Sequence, residues 1–176
     1  KIYEETLAMV KEVEHLTINP ADYAYEITKT GKRDDSVEND RIHRQKQEGL
    51  YYVEYHPAGG DANVEHLLAA LDYAVTLDQV EARIAPDQAL FFINLTADEA
   101  RKIAELTDDS AENDFRRSVS CVGSTICQIG MQDSNGLLKD IFARLEEKGI
   151  DTRKLPRLHI SGCPHSCGTH QIGEIG

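Results

Sequence analysis

Residues 49–106 read GLYYVEYHPAGGDANVEHLLAALDYAVTLDQVEARIAPDQALFFINLTADEARKIAEL, and this stretch decides the fold class. Leu50–Tyr55 is rich in Tyr and Val, which predicts a strand, with Tyr51, Tyr52 and Tyr55 packing in the core and at its rim. Pro57 through Asp61 is a turn ending in a helix cap. Gly59-Gly60-Asp61 has neither a Walker lysine nor a G-x-G-x-x-G frame, so it reads as a tight turn rather than a phosphate cradle. Val64, Leu67, Leu68, Leu71 and Val75 then share one face of a helix. Val80, Ala82 and Ile84 alternate as a strand, Pro86-Asp87 turns, and Ala89–Leu95 is a continuous apolar run suited to a buried strand. Thr96 with Glu99 is a capping box that opens a helix running through Leu106. The order strand–helix–strand–strand–helix predicts an α+β domain with helices on one face of a small antiparallel sheet.

Downstream, Asp108–Asp114 reads as an acidic linker, and Val119-Ser120 leads into Cys121. Leu137, Leu138, Ile141, Phe142 and Leu145 form another helical face, which Gly149 ends. Leu158-His159-Ile160 is a short strand running toward Cys163. Upstream, Tyr3, Leu7, Val10, Val13 and Leu16 form a helical stripe closed by Asn19-Pro20. Thr28–Asp40 is polar, with almost nothing to bury, and reads as a linker.

All four cysteines fall in two pairs, Cys121-x5-Cys127 and Cys163-x3-Cys167. Four thiolates on two loops suit a cubane iron–sulfur cluster. Gly123, Ser124, Gly162, Ser166 and Gly168 are small enough for backbone N–H groups to approach its sulfurs. Structural zinc favours shorter knuckles than C-x5-C, and two disulfides would require an oxidising compartment; both remain alternatives at this point. His159, His165 and His170 read as groups that surround the cysteines rather than as ligands.

The 176 residues carry 31 acidic against 19 basic side chains, a net charge of −12. That balance argues against a nucleic-acid partner. No apolar run reaches the length of a membrane span, and no signal peptide is evident, so a cytoplasmic location is expected. Arg41, His43, Arg44 and Lys46 form the densest basic stretch.

Together the two cysteine motifs, the second written Gly162-Cys163-Pro164-His165-Ser166-Cys167-Gly168, resemble the cluster signature of siroheme-containing nitrite and sulfite reductases. Gln45–Val53 resembles the opening of that family's second ferredoxin-like half-domain, and Ala85-Pro86-Asp87-Gln88 resembles its turn toward the cofactor. The family often has Asn where this chain has His165, and Arg or Asn where it has Asp87.

The resemblance implies a fragment of an oxidoreductase that reduces nitrite to ammonia or sulfite to sulfide by six electrons, using siroheme and a [4Fe–4S] cluster. It implies residues 1–44 as the end of a preceding half and linker, 45–110 as the ferredoxin-like half-domain, and 111–176 as part of the α/β siroheme and cluster domain, truncated at its C-terminal end. Cys121, Cys127, Cys163 and Cys167 would hold the cluster, with the Cys167 thiolate bridging to the siroheme iron. Gln88, Arg44 and Lys46 would contact the siroheme, whose carboxylates call for donors and positive charge. Ferredoxin or a similar one-electron donor and the missing first half of the enzyme are the implied partners. An iron–sulfur electron-carrier module without a substrate site is the alternative.

Overall fold

The computed structural model describes residues 4–6, 8–9 and 26–176. The predicted N-terminal stripe from Tyr3 to Leu16 and its Asn19-Pro20 break lie outside the described residues. A four-stranded antiparallel sheet contains β1 (Ile42–Arg44), β2 (Tyr51–Tyr55), β3 (Glu81–Ile84) and β4 (Leu90–Leu95), in the order β1-β2-β4-β3. Helix α1 (Val64–Ala74) connects β2 to β3, and α2 (Ala97–Leu106) follows β4. This is the expected α+β half-domain. The run from β2 to α2 is the predicted strand–helix–strand–strand–helix order, with β2 and β3 split by β4. The strand that flanks β2 comes from before it. Ile42–Arg44 hides that role because only Ile42 is buried, and edge strands tolerate charge.

The core lies between the sheet and both helices and contains Tyr51, Val53, Tyr55, Phe92, Leu95, Ala100 and Ile103. The buried arc of α1 departs from the predicted one. Ala70 and Ala74 face inward with Leu67 and Leu71 beside them, whereas Val64 and Leu68 point out and Val75 is 81% exposed. The apolar face of this helix is wider than its buried arc, and the two alanines let it lie close to its neighbours. The helix cap is Asn63, not Asp61: the Asn63 side chain accepts from the N–H of Glu65 at 3.0 Å, and Asp61 instead pairs with Lys139 at 2.6 Å. The capping box of Thr96 and Glu99 forms as read.

Pairing between β2 and β4 shifts register near Asn94, whose φ is +64°. Asn94 is buried there without loss, because its N–H donates to Gln45 Oε1 at 2.6 Å and its Oδ1 accepts from Gln45 Nε2 at 3.1 Å. On the opposite sheet face, His43, Tyr52 and Phe91 form a ladder with ring centroids 5.0 and 5.8 Å apart.

Both segments read as linkers are anchored to the fold. In 28–40, Val37 is buried and Lys29 pairs with Glu99 at 2.7 Å. In 108–114, the Ala111 N–H donates to the His56 carbonyl at 2.9 Å, and Tyr55 Oη donates to Asp109 at 2.8 Å. Beyond them, two short parallel strands, β5 (Val119–Ser120) and β6 (His159–Ile160), pack beside α3 (Ser134–Glu147). Phe115, Leu138 and Phe142 are their shared core. Helix α3 ends as the glycine predicts. Gly149 takes φ +64°, its N–H donates to the Glu146 carbonyl, and that of Ile150 donates to the Leu145 carbonyl.

Candidate metal centre

Strands β5 and β6 run parallel, so their carboxyl ends open on the same side. Cys121 follows β5 directly, and Cys163 follows β6 after Ser161 and Gly162. Loops beyond the carboxyl ends of parallel strands are where α/β sheets place ligands. Here the two loops are tied to each other. The Cys121 N–H donates to the Ile160 carbonyl at 3.0 Å, and the N–H groups of Met131 and Gln132 both donate to the Gly162 carbonyl, at 3.1 and 3.0 Å.

Close approach requires glycine at this junction. A Cβ on residue 162 would stand 2.5 Å from the Gln132 carbonyl oxygen. Gly123 combines φ +66° with backbone packed against the start of α3.

The Cys121 sulfur sits among donors. The Gly162 N–H donates to it at 3.2 Å, and Ser134 Oγ lies 2.9 Å away. Burial pushes this thiol up, but the Ser134 hydroxyl and the Gly162 and Gly123 N–H groups outweigh it, leaving the thiol below its ordinary value. Cys121, Cys127 and Cys163 are part-buried, whereas Cys167 is exposed, and all four are free thiols. A single tetrahedral zinc would draw its sulfurs to about 3.8 Å of one another. Among the described residues, the group of three or more metal-ligating side chains that converges within 4.8 Å is His66, Asp108 and Asp109, not the cysteines. Four thiols on two loops that are bonded to each other are the kind of donor set a cubane cluster takes.

Around the second loop, His159 Nδ1 lies 2.9 Å from Thr169 Oγ1 and 3.2 Å from the Gly168 carbonyl, and His170 Nδ1 lies 3.1 Å from Ser166 Oγ. These two imidazoles brace the loop that carries Cys167.

The other expected site residues divide. Gln88 reaches the first cysteine loop: its Nε2 donates to the Ser120 carbonyl at 2.6 Å, and its Oε1 accepts from the Ser120 N–H at 3.4 Å. Arg44 pairs with Tyr51, next to Leu95, whereas the turn that carries Gln88 lies beyond Ile84 and Leu90; the register therefore puts them at opposite ends of the sheet. The Arg44 guanidinium pairs with Glu38 and, at 3.6 Å, with Asp35, while Lys46 is exposed. Sequence reasoning passed over Ser134. Its available signal was Asp133, whose carboxylate accepts the Gly136 N–H at 2.9 Å and so starts α3 beside the cysteines.

No family model matches the chain. The ferredoxin–nitrite reductase of Synechococcus elongatus is 32% identical over 140 residues, covering 77% of this chain and 27% of that protein. The sulfite reductase [NADPH] hemoprotein beta-component of Bacillus licheniformis is 29% identical over 107 residues, 54% of this chain and 18% of that protein. The structure of the Mycobacterium tuberculosis NirA protein matches the fold with a TM-score of 0.61 at 24% identity, over 78% of this chain and 27% of that one.

Over most of its length this chain is similar to nitrite and sulfite reductases. It spans about a quarter or less of the length of these relatives. No helix among the described residues is long and apolar enough to cross a membrane.

Proposed function

We propose that this chain is the cysteine-bearing part of a siroheme and [4Fe–4S] reductase that converts nitrite to ammonia or sulfite to sulfide. The observation that carries the proposal is the pair of cysteine loops at the carboxyl ends of β5 and β6, bonded to each other through Gly162. Cys121, Cys127, Cys163 and Cys167 are the proposed cluster ligands. Cys167, the exposed member, is the proposed bridge to the siroheme iron, since a shared thiolate has to face outward to a second group.

The bound cofactors would supply one-electron steps and a coordination position for the oxyanion. The chain's own residues do the holding. The Gly162 N–H donates to the Cys121 sulfur and Ser134 Oγ lies in hydrogen-bond reach of it, Gln88 fixes the backbone before it, and His159 and His170 brace the loop of Cys167. Of Gln88, Arg44 and Lys46, the proposed cofactor-binding set, Gln88 is the member beside the cysteines. Arg44 and Lys46 enter the proposal through charge complementarity with the siroheme carboxylates.

The proposed domain limits are those expected, 45–110 and 111–176, with the first extended upstream to take in β1 and Val37 from the 1–44 segment, and the substrate's positive surroundings supplied mainly by the rest of a longer enzyme. A ferredoxin-type donor and a cytoplasmic setting complete the reading, and the Synechococcus elongatus relative is named for its ferredoxin.

The test is anaerobic expression of the complete polypeptide with siroheme synthesis supported, followed by its visible spectrum and iron content. A Soret band with about five irons per chain supports the reading, and Cys167→Ser should then uncouple the two centres. About four irons with no Soret band favours an electron-carrier module, and zinc in place of iron overturns both.

A further inference from the structure

We propose that Ser134 tunes the reduction potential of the cluster by hydrogen-bonding the Cys121 thiolate, an assignment that rests on the cluster reading above. Ser134 is the first residue of α3 and is only 1% exposed. Its Oγ stands 2.9 Å from the Cys121 sulfur and 2.9 Å from the Cys121 carbonyl oxygen. A serine hydroxyl has one proton to give. With Cys121 protonated, the thiol can donate to Ser134 and the hydroxyl to the carbonyl. Metal binding deprotonates the thiol. The hydroxyl then faces an anionic sulfur, and the charge-assisted bond to it is the stronger of the two available.

Three features hold the hydroxyl in place. A Cβ at Gly123 would come within 2.9 Å of Ser134 Oγ, so the backbone there closes directly over it. The Ser134 N–H donates to the Gln132 carbonyl at 3.1 Å, and Asp133 caps the same turn. The sulfur also lies at the N-terminal end of a 14-residue helix, where the backbone presents positive potential.

Among the described residues, Cys121 is the cysteine whose sulfur is reached by both a hydroxyl and a backbone N–H. The four ligands are therefore inequivalent. Reduction adds negative charge to the cluster and its thiolates, and donors aimed at a thiolate stabilise that state. Removing the Ser134 donor should make the cluster harder to reduce.

Ser134→Thr and Ser134→Val place a hydroxyl or a methyl in nearly the same volume, so packing effects common to both cancel. Each variant is assembled anaerobically from ferrous iron and sulfide on the complete polypeptide, and its midpoint potential is read by redox titration with electron paramagnetic resonance. The expected result is a potential for Ser134→Thr close to the parent and a negative shift for Ser134→Val. Where the valine variant does not assemble, Ser134→Ala, which adds no bulk, gives the same comparison. Equal potentials across the series overturn the role of Ser134 and leave the cluster standing. Failure of the complete polypeptide to take up iron and sulfide overturns the cluster reading itself, and this inference with it.

Discussion

The Gln88 side chain pairs with both backbone polar groups of Ser120, donating to its carbonyl at 2.6 Å and accepting from its N–H at 3.4 Å. It acts as one rung of a sheet, supplied by a side chain, on the residue just before Cys121. Through this rung the β3–β4 turn of the sheet domain holds the start of the cysteine loop. Gln88 itself takes φ +67°, a conformation that costs energy outside glycine and asparagine and persists because both ends of its amide are engaged.

Gln88→Asn tolerates the same backbone better but is one methylene too short to span the gap. It should leave the buried Ser120 carbonyl without that donor and cost about 1–3 kcal/mol. Urea unfolding measures the loss, and iron uptake by the same variant should fall with it. An unchanged midpoint would show that Ser120 finds another partner.

Gly162→Ala forces a Cβ against the Gln132 carbonyl, where 2.5 Å is available. The two cysteine loops must separate, breaking the paired bonds from Met131 and Gln132. We expect a cost of about 1–3 kcal/mol from overpacking and a marked loss of iron binding. Retention of the parent's iron content would show that the loops need not stay joined.

Glu99 serves two partners, accepting the Thr96 N–H at 2.7 Å and the Lys29 ammonium at 2.7 Å. Burial raises this carboxyl, but Lys29 and the Thr96 bonds outweigh that and hold it below the usual range. Glu99→Ala loses the cap and strands a lysine whose side chain is only 8% exposed, so about 2–3 kcal/mol is expected. Adding Lys29→Met should recover part of it, which a double-mutant cycle will show.

Asp34 provides a pH signature. Hydrogen bonds from the Ser36 hydroxyl, Arg101 and the Ser36 N–H lower its carboxyl to about 2. A depressed carboxyl contributes stability that is fully present above its unfolded value and is lost as pH falls through the folded one. Thermal melts should therefore lose the Asp34 contribution between about pH 4 and pH 2. Asp34→Asn should flatten that part of the profile, and identical slopes in both proteins would refute the assignment.

Leu138 is fully buried between Phe115 and Phe142, so Leu138→Ala should cost about 2–5 kcal/mol. Because α3 carries Ser134, the same variant should also weaken iron retention. A folded variant with full iron content would separate the helix core from the metal centre.

Local pattern was enough to read β2 to α2, the Thr96–Glu99 capping box, the Gly149 stop and the short strand that leads toward Cys163. Those features rest on periodicity and capping, which act within a few residues. The cysteine spacing likewise set which ligand chemistries to expect, because ligand type and loop length are properties of the chain.

Tertiary structure decided the rest. Ile42–Arg44 becomes a strand only because the exposed flank of β2 is there to receive it. The buried arc of α1 centres on Ala70 and Ala74 because close approach to the neighbouring layers selects small residues over the larger Val64 and Leu68. Gln88, Ser120, Ser134 and Cys121 meet across separations that no local rule spans, and Gly162 is essential because Gln132 comes back against it. Sequence determined which groups are present and how each short segment folds; only the packing of distant segments decided which group faces which sulfur, since hydrogen bonds and close contacts depend on distance in space rather than along the chain.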